Sequence, residues 1–286
     1  MKLINDKRLF LIDSFIYIYK YYFYYKKYLK DKCIILGFIN FILNILIKKK
    51  PTYIIVVFDS KLKNNYKKKY FINYKINRRK PKFNLKKNLL KIKYLLKLFK
   101  IPYYSINNIE ADDIIGSLIY NSEKYGNINY IYTEDKDYYQ LISNRTFIIK
   151  KKNIIGIDYI LGKYNINYTE QYIDLISFIG DKSDNLSGVP YIGIKTASKL
   201  LKKYNSIENI YLNINKINPI IKKRIINYKY LVFLYKKIIK INKKIKLKKN
   251  VIRSRLKINK NKIIEILNKI DRNFFKKKYI FFNKYI

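Results

Sequence analysis

Histidine and tryptophan are absent from this 286-residue chain, and cysteine and methionine occur once each. Without histidine there is no imidazole general base, no Ser-His-Asp triad and no His-ligated metal. A lone Cys33 excludes an internal disulfide framework and any cysteine-based zinc site. Catalysis, if present, must rest on carboxylates, lysines, tyrosines or a bound metal. Long apolar runs are also missing. The longest, "CIILGFINFILNILI" (33–47), contains two asparagines. It falls short of the roughly 20 residues that span a bilayer and reads as a buried helix. The opening "MKLINDKRLFLID" places an aspartate where a signal peptide needs an apolar core. These features point to a soluble cytoplasmic protein without a membrane partner, and no motif demands a dimer, so a monomer is expected. Acids are scarce, 19 Asp plus Glu against 63 Lys plus Arg, a net charge of +44. Such a field suits a polyanion whose phosphates shed counterions on binding. Lys, Asn, Ile, Tyr and Phe are also the residues that AT-rich coding over-uses, so charge alone leaves nucleic-acid binding and compositional drift equally open.

Hydrophobic residues make up 49% of the chain, enough for a substantial core. "RLFLID" (8–13), "TYIIVVFD" (52–59) and "INYIYTEDKD" (128–137) are short apolar runs that stop at Asp13, Asp59, and Asp135 with Asp137. "IPYYSIN" (101–107) is a candidate fourth strand ahead of a helix opening at "IEADDIIGSLIY" (109–120). Runs of this kind, separated by helical stretches, predict an α/β fold with a mainly parallel sheet flanked by helices. Carboxylates at the carboxyl ends of such strands lie where open α/β sheets build their sites. Residues 60–109 contain no acid, and 60–100 carry sixteen Lys or Arg among many aromatics, which reads as a helical or partly mobile insertion beside the site. From about 176 the spacing turns helical, through 194–204, 218–241 and 261–286, with a Lys-rich stretch at 236–250 expected to be a solvated helix face or loop.

Seven of the acids fall within 110–137 (Glu110, Asp112, Asp113, Glu123, Glu134, Asp135, Asp137), where even spacing would give about two. On a helix beginning near 110, Glu110 and Asp113 share a face and Asp112 splays aside. Helix capping explains one or two acids, but not the approach of Asp13, Asp59, Asp135, Asp137, Asp181 and Asp184 to neighbouring ends. Carboxylates crowded this way raise one another's pKa. A pair of hard divalent cations, Mg²⁺ or Mn²⁺ on all-oxygen ligands, would relieve them and equip the site to cleave a phosphodiester. In "GDKSDNLSGVPYIGIKTASKLL" (180–201), Gly188 and Gly193 bracket a turn stiffened by Pro190, and a helix starts near Lys195 and Thr196. Open amides there suit a phosphate, the pattern of a helix-hairpin-helix that grips nucleic-acid backbone.

With these motifs in order, "LIDSFIYIYK", "VVFD", "YKINRRKP", "IEADDIIGSL", "YTEDKDYYQL" and the glycine hairpin, the chain resembles the 5′ nuclease family. It is most similar to the 5′–3′ exonuclease domain of bacterial DNA polymerase I and is related to flap endonucleases. The resemblance spans residues 11 to 201. It implies a PIN-like nuclease core over 1–175 with an arch at about 60–100, and a helical DNA-binding subdomain over 176–286. Asp13, Asp59, Glu110, Asp112 and Asp113 would then hold one Mg²⁺, with Asp135, Asp137, Asp181 and Asp184 holding the other. Lys75 and Arg78 match the basic positions at the base of the arch that touch the scissile phosphate. Tyr19 and Lys20 match a Tyr-Arg pair near the first motif. Gly188, Gly193, Lys195 and Thr196 fall in the duplex-holding hairpin, which the family often uses with K⁺.

The implied activity is 5′–3′ exonuclease and 5′-flap cleavage of DNA and RNA primers in replication and repair, in the nucleoid, alongside a separate polymerase and ligase. The chain stops where the nuclease ends, so DNA synthesis is not expected. Ser14, Glu134, Asn77 and Lys80 depart from the family pattern, and Glu134 adds an acid beside the second metal position. Two other readings stay open: a nucleic-acid binding protein that has lost catalysis, and a PIN-like ribonuclease. The intact carboxylates oppose the first, and the arch and hairpin oppose the second.

Overall fold

The computed structural model describes residues 7–29, 32–60, 66–77, 85–247 and 259–285. Arg78 and Lys80 lie outside the described residues. Six strands form one sheet in the order β3-β2-β1-β4-β5-β6: β1 (Arg8–Asp13), β2 (Tyr53–Val57), β3 (Tyr103–Tyr104), β4 (Ile128–Tyr132), β5 (Thr146–Lys150) and β6 (Asn153–Ile155). Every pairing is parallel except the last, where β6 folds back antiparallel on β5.

The apolar runs are continuous because both faces of the sheet are covered. Side chains alternate across a strand, so Leu9 and Leu11 of β1 enter one apolar cluster while Phe10 and Ile12 enter the other. In β2, Ile55 and Val57 divide from Ile54 and Val56 in the same way. On one face lie α1 (Ser14–Leu29), α2 (Cys33–Lys49), α4 (Leu85–Leu98) and α12 (Lys260–Tyr285). α2 is the apolar run 33–47, buried as expected, and among the described residues no helix is long and apolar enough to cross a membrane. On the other face lie α5 (Ala111–Glu123), α6 (Ile157–Tyr164), α7 (Gln171–Ile179), α8 (Ile194–Tyr204), α9 (Ile207–Leu212), α10 (Pro219–Asn227) and α11 (Lys229–Ile239).

Several expectations change. β5 and β6 were not foreseen. Their runs are short, and the link from β4 is a 3₁₀ turn at Lys136–Leu141 rather than a crossover helix. The run at 101–107 pairs over only two residues. Helices begin at Ile157, ahead of 176, because Ile157, Ile160, Leu161 and Tyr164 recur at helical spacing. The basic segment divides: α3 (Tyr66–Tyr70) and a turn at 72–77 stand over the strand ends, whereas α4 packs Ile92, Leu95 and Leu96 into the core layer. The Lys-rich stretch is not simply solvated. Its backbone at 241–245 lies along α5, where Asn242 N donates to Asp113 Oδ1 and Ile245 N donates to Ser117 Oγ. α12 returns to the N-terminal half and buries Ile263, Leu267 and Phe275 on the α2 side.

β1 has β2 on one side and β4 on the other, so the chain leaves the sheet centre in opposite directions at this point. The resulting crevice lies at the strands' carboxyl ends. Between α7 and α8 the loop is held by contact between two glycines. Gly180 has φ +77 and Gly188 φ +71. A Cβ on Gly180 would collide with the Leu186 carbonyl oxygen, and one on Gly188 with the Ile179 carbonyl. We expect Gly180→Ala to destabilise the fold by at least about 2 kcal/mol in urea unfolding, since strain and collision add. A loss under about 0.5 kcal/mol would show that this contact does not fix the loop.

Candidate active site

The crevice collects the nine sequence-predicted carboxylates. Asp13 closes β1, Asp59 follows β2, and Asp135 and Asp137 follow β4. Glu110, Asp112 and Asp113 open α5, and Asp181 and Asp184 occupy the loop after α7. Local hydrogen bonds aim them. Asp59 Oδ1 accepts from the Ala111 amide at 2.7 Å, tying the end of β2 to the first turn of α5. Thr133 Oγ1 donates to Asp13 Oδ2 at 3.0 Å. Asp135 accepts from the Asp137 amide, and Asp181 from the amide and hydroxyl of Ser183.

Burial and mutual repulsion set the electrostatics. Burial pushes Asp13 well above the ordinary carboxylate value, with Asp59 and Asp135 adding to it. Burial likewise raises Asp59 and Asp135, and it lifts Asp137 well up, helped by Asp135 and Asp184. Asp113 rises to about 7, through burial first and Asp112 second. Two groups move the other way. Burial pushes Glu110 up, but Lys75 and Lys67 outweigh it and bring it down to about 2. Asp181 falls below its usual value because the Ser183 bonds and Lys136, at 3.1 Å, overcome burial.

Two lysines of the basic segment enter this field. Lys75 Nζ lies 2.7 Å from Glu110 Oε1 and 3.8 Å from Asp184 Oδ2. Its backbone holds φ +58, and its amide donates to the Asp184 carbonyl. Asn77 Nδ2 donates to Asn185 Oδ1, and Asn185 Nδ2 to the Asn73 carbonyl, so the 72–77 turn is fastened to the loop that carries Asp184. Lys67, 1% exposed, reaches Glu110 Oε2 at 2.6 Å and Asp112 Oδ2 at 3.3 Å. Tyr74 donates to Glu110 and Tyr66 to Asp113. Sequence reasoning missed Lys67, Tyr66, Tyr74 and Thr133. The sequence reads 60–100 as a basic insertion beside the site, and "YKKKY" carries no signal that singles out Lys67 among its neighbours.

The remaining predicted residues lie outside the acid cluster. Lys20, on α1, stands 3.9 Å from Glu134, so the extra acid faces α1. Tyr19 is on the same helix, stacked obliquely near Phe15. Ser14 is fully buried, and its Oγ has no partner among the described residues. Gly188 packs against backbone, whereas a Cβ on Gly193 would meet nothing within 4 Å. Gly193 caps α8, placing Lys195 and Thr196 in its first turn with Lys195 exposed.

The donor set suits a hard divalent cation. Glu110, Asp112 and Asp113 each offer an oxygen, all within 4.8 Å of one another, and these three carboxylates meet only the two lysines Lys67 and Lys75 among the described residues. Asp113 also anchors the 241–245 backbone through Asn242.

Lys67→Met should cost about 3 kcal/mol in urea unfolding without metal, because it strands buried carboxylates. Lys68→Met, on the exposed neighbour, serves as the near-zero control. Carboxylates whose folded pKa is raised favour the folded state below the unfolded value and oppose it as pH climbs through the folded one. For Asp113 that window runs from 3.8 to about 7. Thermal melts in EDTA should therefore lose stability across this range, and a melting temperature that rises instead would contradict the charge crowding.

Two family models match the chain in succession: "5'-3' exonuclease, N-terminal resolvase-like domain" over residues 8–165 and "5'-3' exonuclease, C-terminal SAM fold" over 168–262. A 5′–3′ exonuclease of Buchnera aphidicola (subspecies Schizaphis graminum) is 39% identical over 223 residues, covering 76% of this chain and 77% of that one. DNA polymerase I of Bacillus caldotenax is 35% identical over 74% of this chain, which spans 25% of the polymerase. Among solved structures, the bacteriophage T5 flap endonuclease in a complex with DNA and metal ions superposes with a TM-score of 0.70 at 16% identity, covering 97% of this chain and all of that one. The catalytic core of Rad2 with DNA substrate gives 0.60 at 19% identity, covering 96% and 88%. These two likenesses establish the fold, and the family models and the relatives above 30% identity establish the lineage: the chain belongs to the 5′–3′ exonuclease family.

Proposed function

We propose that this chain is a divalent-metal-dependent nuclease that cleaves DNA and RNA primers at single-stranded 5′ ends and 5′ flaps. One observation carries the reading: nine carboxylates gather at the carboxyl rim of the sheet, with Lys75 reaching into them from a turn fastened beside Asp184. Asp13, Asp59, Glu110, Asp112 and Asp113 would hold one Mg²⁺, and Asp135, Asp137, Asp181 and Asp184 the other, with Mn²⁺ able to substitute. When bound, the ions supply the water activation and leaving-group stabilisation that a histidine-free pocket otherwise lacks.

The chain's own residues do the rest. Asp59 and Asp13 are held by the Ala111 amide and the Thr133 hydroxyl, so their free oxygens are oriented before any cation arrives. Lys75 is positioned to exchange a carboxylate for a phosphate oxygen of the scissile bond, which places positive charge where the reacting phosphate gains negative charge. Arg78 belongs by sequence to the same basic motif as Lys75 and would serve the same phosphate. The hairpin from Gly188 to Thr196, together with a bound K⁺, would hold duplex backbone while the 5′ strand enters the crevice. Tyr19 and Lys20 would flank that path on α1.

The test uses a 5′-labelled flap oligonucleotide with Mg²⁺. Asp59→Asn should reduce cleavage by at least about a hundredfold while duplex binding in EDTA persists. Lys75→Ala should slow cleavage with little change in duplex affinity. Undiminished cleavage by the Asp59 variant would refute the assignment. Parallel loss of binding and cleavage by the Lys75 variant would remove that residue from the chemical step.

A further inference from the structure

Tyr191 occupies an unfavourable place at the tip of the hairpin. Its φ is +61, and among the described non-glycine residues with positive φ it is the sole aromatic, the others being four asparagines and four lysines. A bulky side chain in the left-handed region is costly. Burial does not compensate, since Tyr191 is 84% exposed. What meets the ring is a cation: the guanidinium carbon of Arg224 on α10 lies 4.8 Å from its centroid. Arg224 is itself held in place, because the next residue, Ile225, is fully buried.

The setting narrows the partner. Lys195, Lys199, Lys202 and Lys203 of α8 and Ile221 of α10 line one groove. Ile221 and Arg224 are three apart on α10 and share a face, so the Tyr191–Arg224 pair lies beside the groove that Ile221 lines. Neither α8 nor α10 contains an acid. Beside the pair, backbone at Gly193 is open to close approach. The occupant must therefore offer regularly spaced negative charge together with flat apolar faces, as the phosphates and deoxyribose rings of a nucleic-acid duplex do.

We infer that Tyr191 and Arg224 form a second grip on duplex backbone: the ring packs on a deoxyribose face while the guanidinium, fixed by that ring, meets the adjacent phosphate. This rests on the nuclease reading above and adds to the hairpin's backbone grip a side-chain contact at its tip, anchored from α10 by Arg224. The tyrosine is retained at a strained position because it binds, not because it stabilises the fold.

The measurement is fluorescence anisotropy of the full chain on a flap duplex in EDTA, with melting temperatures recorded alongside. Tyr191→Gly should melt at the same temperature or higher and weaken duplex binding about tenfold. Tyr191→Phe should bind as wild type, since the ring and not the hydroxyl makes the contact. Arg224→Ala should weaken binding comparably and lower the salt slope by about one. The double variant should be little worse than either single one. Tyr191→Gly binding within about twofold of wild type, at an undiminished melting temperature, would overturn the grip. If the Asp59 variant is still inactive in that case, the nuclease assignment stands; a wild type that binds no duplex overturns both. Loss of binding to an acidic polypeptide but not to the duplex would instead make the partner a protein, and the inference would fail.

Discussion

Electrostatic repulsion among nine carboxylates in one cleft is the constraint on which the rest of the architecture turns. Left alone, such a cluster would take up protons or push its strands apart. Two lysines from the basic segment enter the cleft, and Lys67 does so at the expense of its own hydration. The segment 66–77 is thus more than a cover over the site. Its Lys67 and Lys75, with the hydroxyls of Tyr66 and Tyr74, offset part of the negative charge of α5's first turn. Strength at this point is also what a phosphate would exploit, because a lysine already held near the acids can move between partners with little reorganisation.

The cleft is rigid where it must be. Asp59 and Asp13 are aimed by an amide and a hydroxyl from neighbouring elements, and Asp135 and Asp181 by the amides two residues further on. Asp113 illustrates the coupling of site to fold: its carboxylate fixes the extended segment after α11 along α5, so the helical half of the chain is bonded directly to the first turn of α5. The two-glycine contact between Gly180 and Gly188 has the same role for Asp181 and Asp184, holding their loop by close backbone approach that no Cβ would permit.

Departures from the family pattern also acquire physical meaning. Glu134 faces Lys20, and Asn77 completes a side-chain bridge to Asn185 that fastens the 72–77 turn. Ser14 contributes a buried hydroxyl without a partner among the described residues, and nothing in the structure explains its presence.

Composition and pattern alone settled a good deal. The runs ending in Asp13, Asp59 and Asp135 are strands because uninterrupted apolar residues can be buried only on both faces of a sheet, and the acids that stop them mark the rim. The helix at 111–123, the buried helix at 33–47 and the glycine hairpin were legible for similarly local reasons. Tertiary structure decided what local pattern cannot encode. Which of sixteen look-alike basic residues turns inward depends on where α3 lands over α5, and that position selected Lys67. The short strands β5 and β6, the return of α12 to α2 and the docking of 241–245 on α5 all depend on long-range contacts between segments whose own periodicity is weak or ambiguous. Charge crowding could be anticipated from the count of acids, but its partners could be identified only once the chain was folded, because electrostatic pairing is set by distance in space and not by distance along the sequence.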